Sequence, residues 1–286
     1  MAIKKVGVVG GGLMGSGIAQ TIAQSGYDVL MLEVNQELLD RGVERVQGAW
    51  SMLQGKGRIT ETQVGEYRGR FRGTLDLEAF ADRDLVLEAI IENLDAKRSL
   101  FKRLDTIVPG DAILVSNTSS LPIIEMAAVT KREAQVAGLH FFNPAPVMKL
   151  VEIVRTISTA DATVETLREF ARSLGKTPIV AKDTAGFVVN FLLIPYMLSA
   201  IRMFEHGLAT REDIDTGMKL GCGYPMGPFE LLDYVGLDTT LYAAEAIYLE
   251  YPDPAYAPPT LLRRMVQSGR YGKKNGRGFY NLDEQS

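Results

Sequence analysis

The strongest constraint on this chain is a glycine-rich hexapeptide set between two kinds of hydrophobic pattern. Gly10-Gly11-Gly12-Leu13-Met14-Gly15 follows an apolar run, Lys4–Val9, that reads as a strand, and it opens the helical pattern of Leu13–Gln24. A G-x-G-x-x-G match says little alone; the strand before it and the helix after it give it meaning. Gly10 allows a tight turn, Gly12 lets the backbone approach a pyrophosphate, and Gly15 lets helix and strand pack closely. The helix start then offers N–H groups and partial positive charge to phosphates. Glu33 closes the next strand pattern, Tyr27–Glu33, 21 positions after Gly12. A carboxylate there accepts ribose hydroxyls and repels a 2′-phosphate, which points to NAD rather than NADP. The competing reading is a glycine-rich turn with no ligand.

Strand and helix signals go on alternating to Asp183. Gln36–Gln54 is helical, Gln54–Arg70 reads as a polar helical excursion, Asp84–Ala89 as a strand and Leu94–Val108 as a helix stopping at Pro109-Gly110. Strands follow at Ala112–Ser116, Gln135–Phe141, Leu150–Val154 and Pro178–Ala181, with a helix at Thr163–Leu174. After Asp183 strands vanish: Phe187–His206, Arg211–Lys219, Phe229–Glu250 and Thr260–Ser268 all read as helix. The expected architecture is α/β: a Rossmann-type dinucleotide-binding domain over residues 1–183, then an all-α C-terminal domain over 184–286.

Composition narrows the function. A net charge of −4 argues against a broad grip on nucleic acid. No uncharged run approaches the roughly 20 residues that span a bilayer. A single cysteine, Cys222, permits no intrachain disulfide and, with two distant histidines, no conventional zinc site, so no metal is expected. One cysteine and no signal segment make a cytoplasmic setting the default.

Two histidines leave a short list of neutral-pH bases. His140 ends an apolar strand, just before Asn143-Pro144-Ala145-Pro146, at the edge where open α/β sheets bind ligands. Glu152 interrupts Leu150-Val151-Glu152-Ile153-Val154, and a carboxylate in an apolar strand is costly unless paired. If the two strands are neighbours, Glu152 fixes the imidazole tautomer and leaves the other nitrogen for substrate. His206, before Gly207, reads as a structural helix C-terminus. Ser116-Asn117-Thr118-Ser119-Ser120 reads as a helix N-cap cluster, and Asn190 as an interhelical hydrogen-bonding amide.

At this point the chain resembles a known family. Gly10–Gly15 continuing as Ser16-Gly17-Ile18-Ala19-Gln20, the Ser116–Leu121 segment, and the ordered run from His140 through Pro146 to Glu152 are similar to the L-3-hydroxyacyl-CoA dehydrogenases. So are Lys182–Phe187 with Asn190, Gly223–Asp233 and Gly272–Tyr280, so the resemblance covers nearly the whole chain. It implies NAD-dependent, reversible oxidation of an L-3-hydroxyacyl-CoA, with 3-hydroxybutyryl-CoA and acetoacetyl-CoA as a candidate pair. It makes His140 the base, Glu152 its partner, and Ser119 and Asn190 the groups that hold the reacting oxygen. It adds cofactor contacts at Glu92, Lys97, Ser119, Asn143 and Lys274, and CoA contacts at Lys56 and Ser119. Without it, Glu92 reads as a first-turn helix carboxylate and Lys97 as a solvated helix face. It also implies a homodimer formed through the helical domain. Two positions depart from the family pattern: Phe191 stands where arginine is usual, and Ala49 where some relatives have serine at the CoA channel. The rival readings are a dehydrogenase of a free hydroxy or sugar acid, which needs no CoA-phosphate lysine, and a catalytically idle NAD-binding protein.

Overall fold

The computed structural model describes residues 3–280. The chain divides into two compact units, Met1–Thr184 and Ala185–Ser286.

The first unit begins with β1 (Lys5–Val9), α1 (Leu13–Gln24), β2 (Asp28–Leu32), α2 (Gln36–Gly55), α3 (Glu61–Arg70) and β3 (Phe71–Thr74). It continues with β4 (Leu85–Glu88), α4 (Leu94–Ile107), β5 (Ile113–Ser116), α5 (Ile123–Ala127), β6 (Val136–Phe141), β7 (Leu150–Arg155), α6 (Asp161–Ser173) and β8 (Thr177–Lys182). The strands form one sheet in the order β3-β2-β1-β4-β5-β6-β7-β8. Strands β1 to β6 pair in parallel; β7 runs antiparallel to β6, and β8 follows β7 in parallel. The order reverses between β1 and β4, so the crevice that opens there, at the carboxyl ends of the strands, is where such sheets take a dinucleotide.

Helices cover both faces, which is why the strands are nearly continuous apolar runs. Val6, Val8, Leu85, Leu87, Val115 and Leu139 are fully buried in one cluster with Ile18 and Ile22 of α1 and Trp50 of α2. The Trp50 ring lies 5.8 Å from both Tyr67 and Phe71, which seats the α2–α3 hairpin against the sheet edge. Strand β3 does not stand out in the sequence. It is an edge strand in which Phe71 alone is buried, so it lacks alternation.

The second unit holds α7 (Val189–Glu205), α8 (Arg211–Cys222), α9 (Pro228–Val235), α10 (Leu237–Glu250) and α11 (Thr260–Gln267). The single helix expected over Phe229–Glu250 is two. Gly236, at φ +105, ends α9 and starts α10, a conformation a side chain would resist. Two buried acids knit the unit. Asp215 accepts the Phe229 and Glu230 amides at 2.8 and 3.1 Å and so caps α9 from outside, and it also takes the Tyr280 hydroxyl at 2.8 Å. Asp233 accepts the Phe279 and Tyr280 amides at 2.9 and 2.8 Å; burial pushes its carboxyl above the usual value, against the pull of those amides. These bonds tie the Gly223–Asp233 and Gly272–Tyr280 segments to each other and to α8 through Asp233, Tyr280 and Asp215. His206 is the exposed C-cap of α7, as its sequence context indicates.

Candidate active site

The glycine loop joins β1 to α1. Gly10 has φ +99, and a Cβ there would meet the Ala89 carbonyl oxygen at 2.5 Å. A Cβ on Gly15 would lie 1.8 Å from the Gly10 carbonyl oxygen, so the first turn of α1 is pressed onto the loop itself. Gly12 is the N-cap of α1, no side chain caps the helix, and a Cβ on Gly12 would meet nothing within 4 Å. The helix start therefore faces open space with its amides undisguised, which fits a pyrophosphate. Glu33, just past β2, accepts the Gly11 amide at 2.6 Å and the Val34 amide at 3.0 Å. Each oxygen spends one acceptor site on the backbone and keeps another for a ribose hydroxyl. Arg45 of α2, unremarkable in the sequence, donates to the Gly11 carbonyl at 3.1 Å and braces the same loop.

Beside the loop, the ends of β4 and β5 carry a buried polar cluster. Lys97 is 1% exposed, contrary to its reading as a solvated helix face. Its Nζ lies 2.5 Å from Glu88 Oε1 and 3.1 Å from Glu92 Oε2. Glu92 lies before the N-cap of α4, not in its first turn. It also accepts the Thr118 hydroxyl, the Ser119 amide at 3.3 Å and the Ser120 hydroxyl at 3.4 Å. The serine-rich segment does not cap α5, as its composition suggests; Asp183 does, accepting the Ile123 and Ile124 amides at 2.9 and 2.7 Å. Ser119 is half-buried, and among the described residues its hydroxyl has no hydrogen-bond partner. Glu88 was missed by sequence reasoning, although a carboxylate closing the apolar run Leu85-Val86-Leu87 is the same signal that singles out Glu152.

His140 and Glu152 face each other directly in the antiparallel β6–β7 ladder, so their side chains emerge on one face. His140 Nδ1 lies 2.7 Å from Glu152 Oε2, with both residues buried, and the Phe142 ring sits 4.6 Å from the imidazole. The Asn117 side-chain oxygen Oδ1 takes the Phe141 amide at 2.9 Å, tying the end of β5 to that of β6. The loop that follows carries exposed Asn143, whose bond to Pro144 is cis. Lys176, buried just before β8, holds this loop by donating to the Ala145 and Met148 carbonyls at 2.6 and 2.8 Å; burial pushes its pKa down. Lys176→Met leaves both carbonyls without that donor. We expect it to cost about 2 kcal/mol of first-unit stability in urea unfolding and to expose the 143–149 loop to proteolysis.

Glycine loop, Glu33, the Glu92–Lys97–Ser119 cluster and the His140–Glu152 pair thus share the carboxyl edge of one sheet. Lys56 is the exposed C-cap of α2 and enters none of these contacts. Asn190 and Lys274 belong to the second unit. Asn190 is half-buried in the first turn of α7, and the expected interhelical bond is not formed: among the described residues its amide has no hydrogen-bond partner. Lys274 Nζ donates to both Asp238 carboxylate oxygens at 2.7 and 2.9 Å and to the Thr239 hydroxyl at 2.7 Å. Phe191 packs its ring 5.5 Å from that of Tyr251 and 5.1 Å from that of Tyr256, so an aromatic cluster occupies the position where arginine is usual.

Comparison with known proteins agrees with this geometry. The family model described as 3-hydroxyacyl-CoA dehydrogenase, NAD binding domain, matches residues 5–184, and the one described as its C-terminal domain matches 186–282. A 3-hydroxybutyryl-CoA dehydrogenase of Mycobacterium tuberculosis is 47% identical over 98% of both chains. The human mitochondrial hydroxyacyl-coenzyme A dehydrogenase is 45% identical over 97% of this chain and 91% of its own. The crystal structure of (S)-3-hydroxybutyryl-CoA dehydrogenase from Ralstonia eutropha superposes with a TM-score of 0.94 at 42% identity, covering 98% of this chain and 99% of the other. This chain belongs to the 3-hydroxyacyl-CoA dehydrogenase family.

Proposed function

We propose that the chain catalyses the reversible, NAD-dependent oxidation of L-3-hydroxyacyl-CoA to 3-ketoacyl-CoA. The observation that carries this reading is the buried His140–Glu152 pair, 2.7 Å apart, on the same sheet edge as a glycine loop braced by Glu33. NAD, held at the glycine loop, would supply the acceptor for the hydride that leaves C3 of the substrate. The protein handles the proton. His140 engages Glu152 through Nδ1, so Nε2 takes the proton of the 3-hydroxyl, and Glu152 stabilises the imidazolium formed. The Ser119 hydroxyl and the Asn190 amide donate to the reacting oxygen, which carries the growing negative charge. The Gly10–Gly15 loop and Glu33 hold the pyrophosphate and adenosine ribose. Glu92, Lys97 and Asn143 would contact the remainder of the cofactor, and the family pattern adds Lys274 to the same set.

Consumption of NADH with acetoacetyl-CoA, a longer 3-ketoacyl-CoA and a free 3-keto acid tests the reading. Turnover of the CoA esters supports it. Turnover of the free acid alone rejects it in favour of a hydroxy-acid dehydrogenase, and no turnover favours an idle NAD-binding protein. Lys56 is the CoA-phosphate contact in this scheme. Lys56→Ala should raise KM for acetoacetyl-CoA about fivefold, more at low salt, with kcat unchanged.

A homodimer through the helical unit is part of the same proposal. An apolar cavity of about 370 Å³ lined by Tyr196, Ala200, Met203, Ile214, Met218 and Pro228 supports it, together with exposed Leu208 and Leu220. No helix among the described residues is long and apolar enough to cross a membrane. The one cysteine, an exposed thiol, suits a reducing cytoplasmic setting.

A further inference from the structure

The buried cluster at the ends of β4 and β5 contains more negative than positive charge. Glu88, 0% exposed, accepts Lys97 Nζ at 2.5 Å, the Ser116 hydroxyl at 2.5 Å and the Ile90 amide at 2.7 Å. Lys97 is shared with Glu92, which is 28% exposed and is the cluster's outward end. Two carboxylates and one ammonium leave a net charge of −1. Among the described residues no second cation pairs with either carboxylate.

The strand order says which half of a dinucleotide meets this charge. Glu33 closes β2, on one side of the glycine loop, and takes the adenosine ribose. A dinucleotide laid across the switch point then runs its other half toward the ends of β4 and β5, on the way to His140. The oxidised nicotinamide ring is a cation and the reduced ring is neutral. A fixed negative charge beside it, under a low-dielectric floor, favours the oxidised form.

We propose that Glu88 is a positioning residue that shifts the relative affinity of this site toward NAD⁺ and away from NADH. It acts through Lys97: by absorbing most of the lysine's charge, it leaves the Glu92 carboxylate only partly neutralised where the nicotinamide half lies. This rests on the NAD-dependent reading above. By linkage, a site that holds NAD⁺ tighter than NADH makes the bound reduced cofactor the stronger hydride donor, and so draws the equilibrium on the enzyme toward the 3-hydroxyacyl product.

The test is the dissociation constants of NAD⁺ and NADH, by calorimetry, for the wild type and Glu88→Gln. Glutamine keeps the size and an acceptor for Lys97 but brings the cluster to neutrality. Its Kd for NAD⁺ should rise about tenfold while that for NADH stays within about twofold, and the equilibrium on the enzyme should move toward ketone and NADH by the same ratio. A merely structural role for Glu88 weakens both forms equally, and that result, or no change in either, overturns the proposal. Should Glu88→Gln fail to fold, Glu92→Gln removes the same charge from the exposed end, and the proposal requires the same unequal response. A wild-type protein that binds neither form overturns the NAD-dependent reading itself, which is a different result from an equal loss in the variant.

Discussion

His140→Gln should lower kcat for acetoacetyl-CoA reduction by about 10³-fold, with the Kd for NADH within about twofold of wild type. Glutamine is close in size and can still donate toward Glu152, so the β6–β7 ladder, in which the two residues lie directly opposite, keeps its register. What it lacks is a nitrogen that exchanges a proton near neutral pH. The loss therefore falls on turnover and not on cofactor binding, which the proposed scheme gives to the glycine loop and Glu33 on other strands. His206→Gln is the matching control. His206 is an exposed helix C-cap, and its replacement should leave kcat unchanged. Stopped-flow measurement of NADH oxidation in the three proteins separates the two histidines, and the reverse pattern would reject the assignment of the base.

Gly15→Ala should have the second large effect, this time on the cofactor. Its Cβ would fall 1.8 Å from the Gly10 carbonyl oxygen, a distance no side-chain rotation relieves because both atoms belong to the backbone framework. Helix α1 has to lift away from the loop. Overpacking of this kind costs about 1–3 kcal/mol, and here the strain falls on the α1 amides proposed to hold the pyrophosphate. NADH titration should show Kd raised about 100-fold, with a lower melting temperature. Gly12→Ala is the informative contrast, since nothing lies within 4 Å of its Cβ. It should melt like wild type yet bind NADH more weakly, because the methyl group occupies space meant for the phosphates.

The features visible in the sequence were those whose cause is local. The glycine loop, the strand–helix alternation and the shift to helices after Asp183 depend on neighbours within a few residues, and these elements formed as the patterns indicated, apart from the break at Gly236 and the added strand β3. The pairing of His140 with Glu152 was legible for a different reason: a carboxylate in an apolar strand demands a partner, and the chain holds few candidates. Features set by distant partners were not legible. Lys97 lies on a helix that looks solvated, and only the fold brings Glu88 and Glu92 around it. The serines after β5 carry the composition of a helix cap, but Asp183, some sixty residues on, caps α5 and leaves them to Glu92. Gly236 reads as one more residue in an apolar helical run, yet its φ is +105 and a Cβ there would meet Lys274 Cε at 2.7 Å, a contact only the fold creates. Strand β3 escaped because an edge strand with one buried side chain has no period to detect.

The central claim is that one sheet edge holds the dinucleotide and delivers the 3-oxygen of an acyl-CoA to His140. A crystal structure of this chain with NAD⁺ and acetoacetyl-CoA tests it most directly. The account predicts the pyrophosphate on the amides at the start of α1, the adenosine ribose on Glu33, and the acyl C3 oxygen within about 3.5 Å of both His140 Nε2 and Ser119 Oγ. A C3 oxygen beyond hydrogen-bond reach of His140, with another side chain in its place, would contradict it.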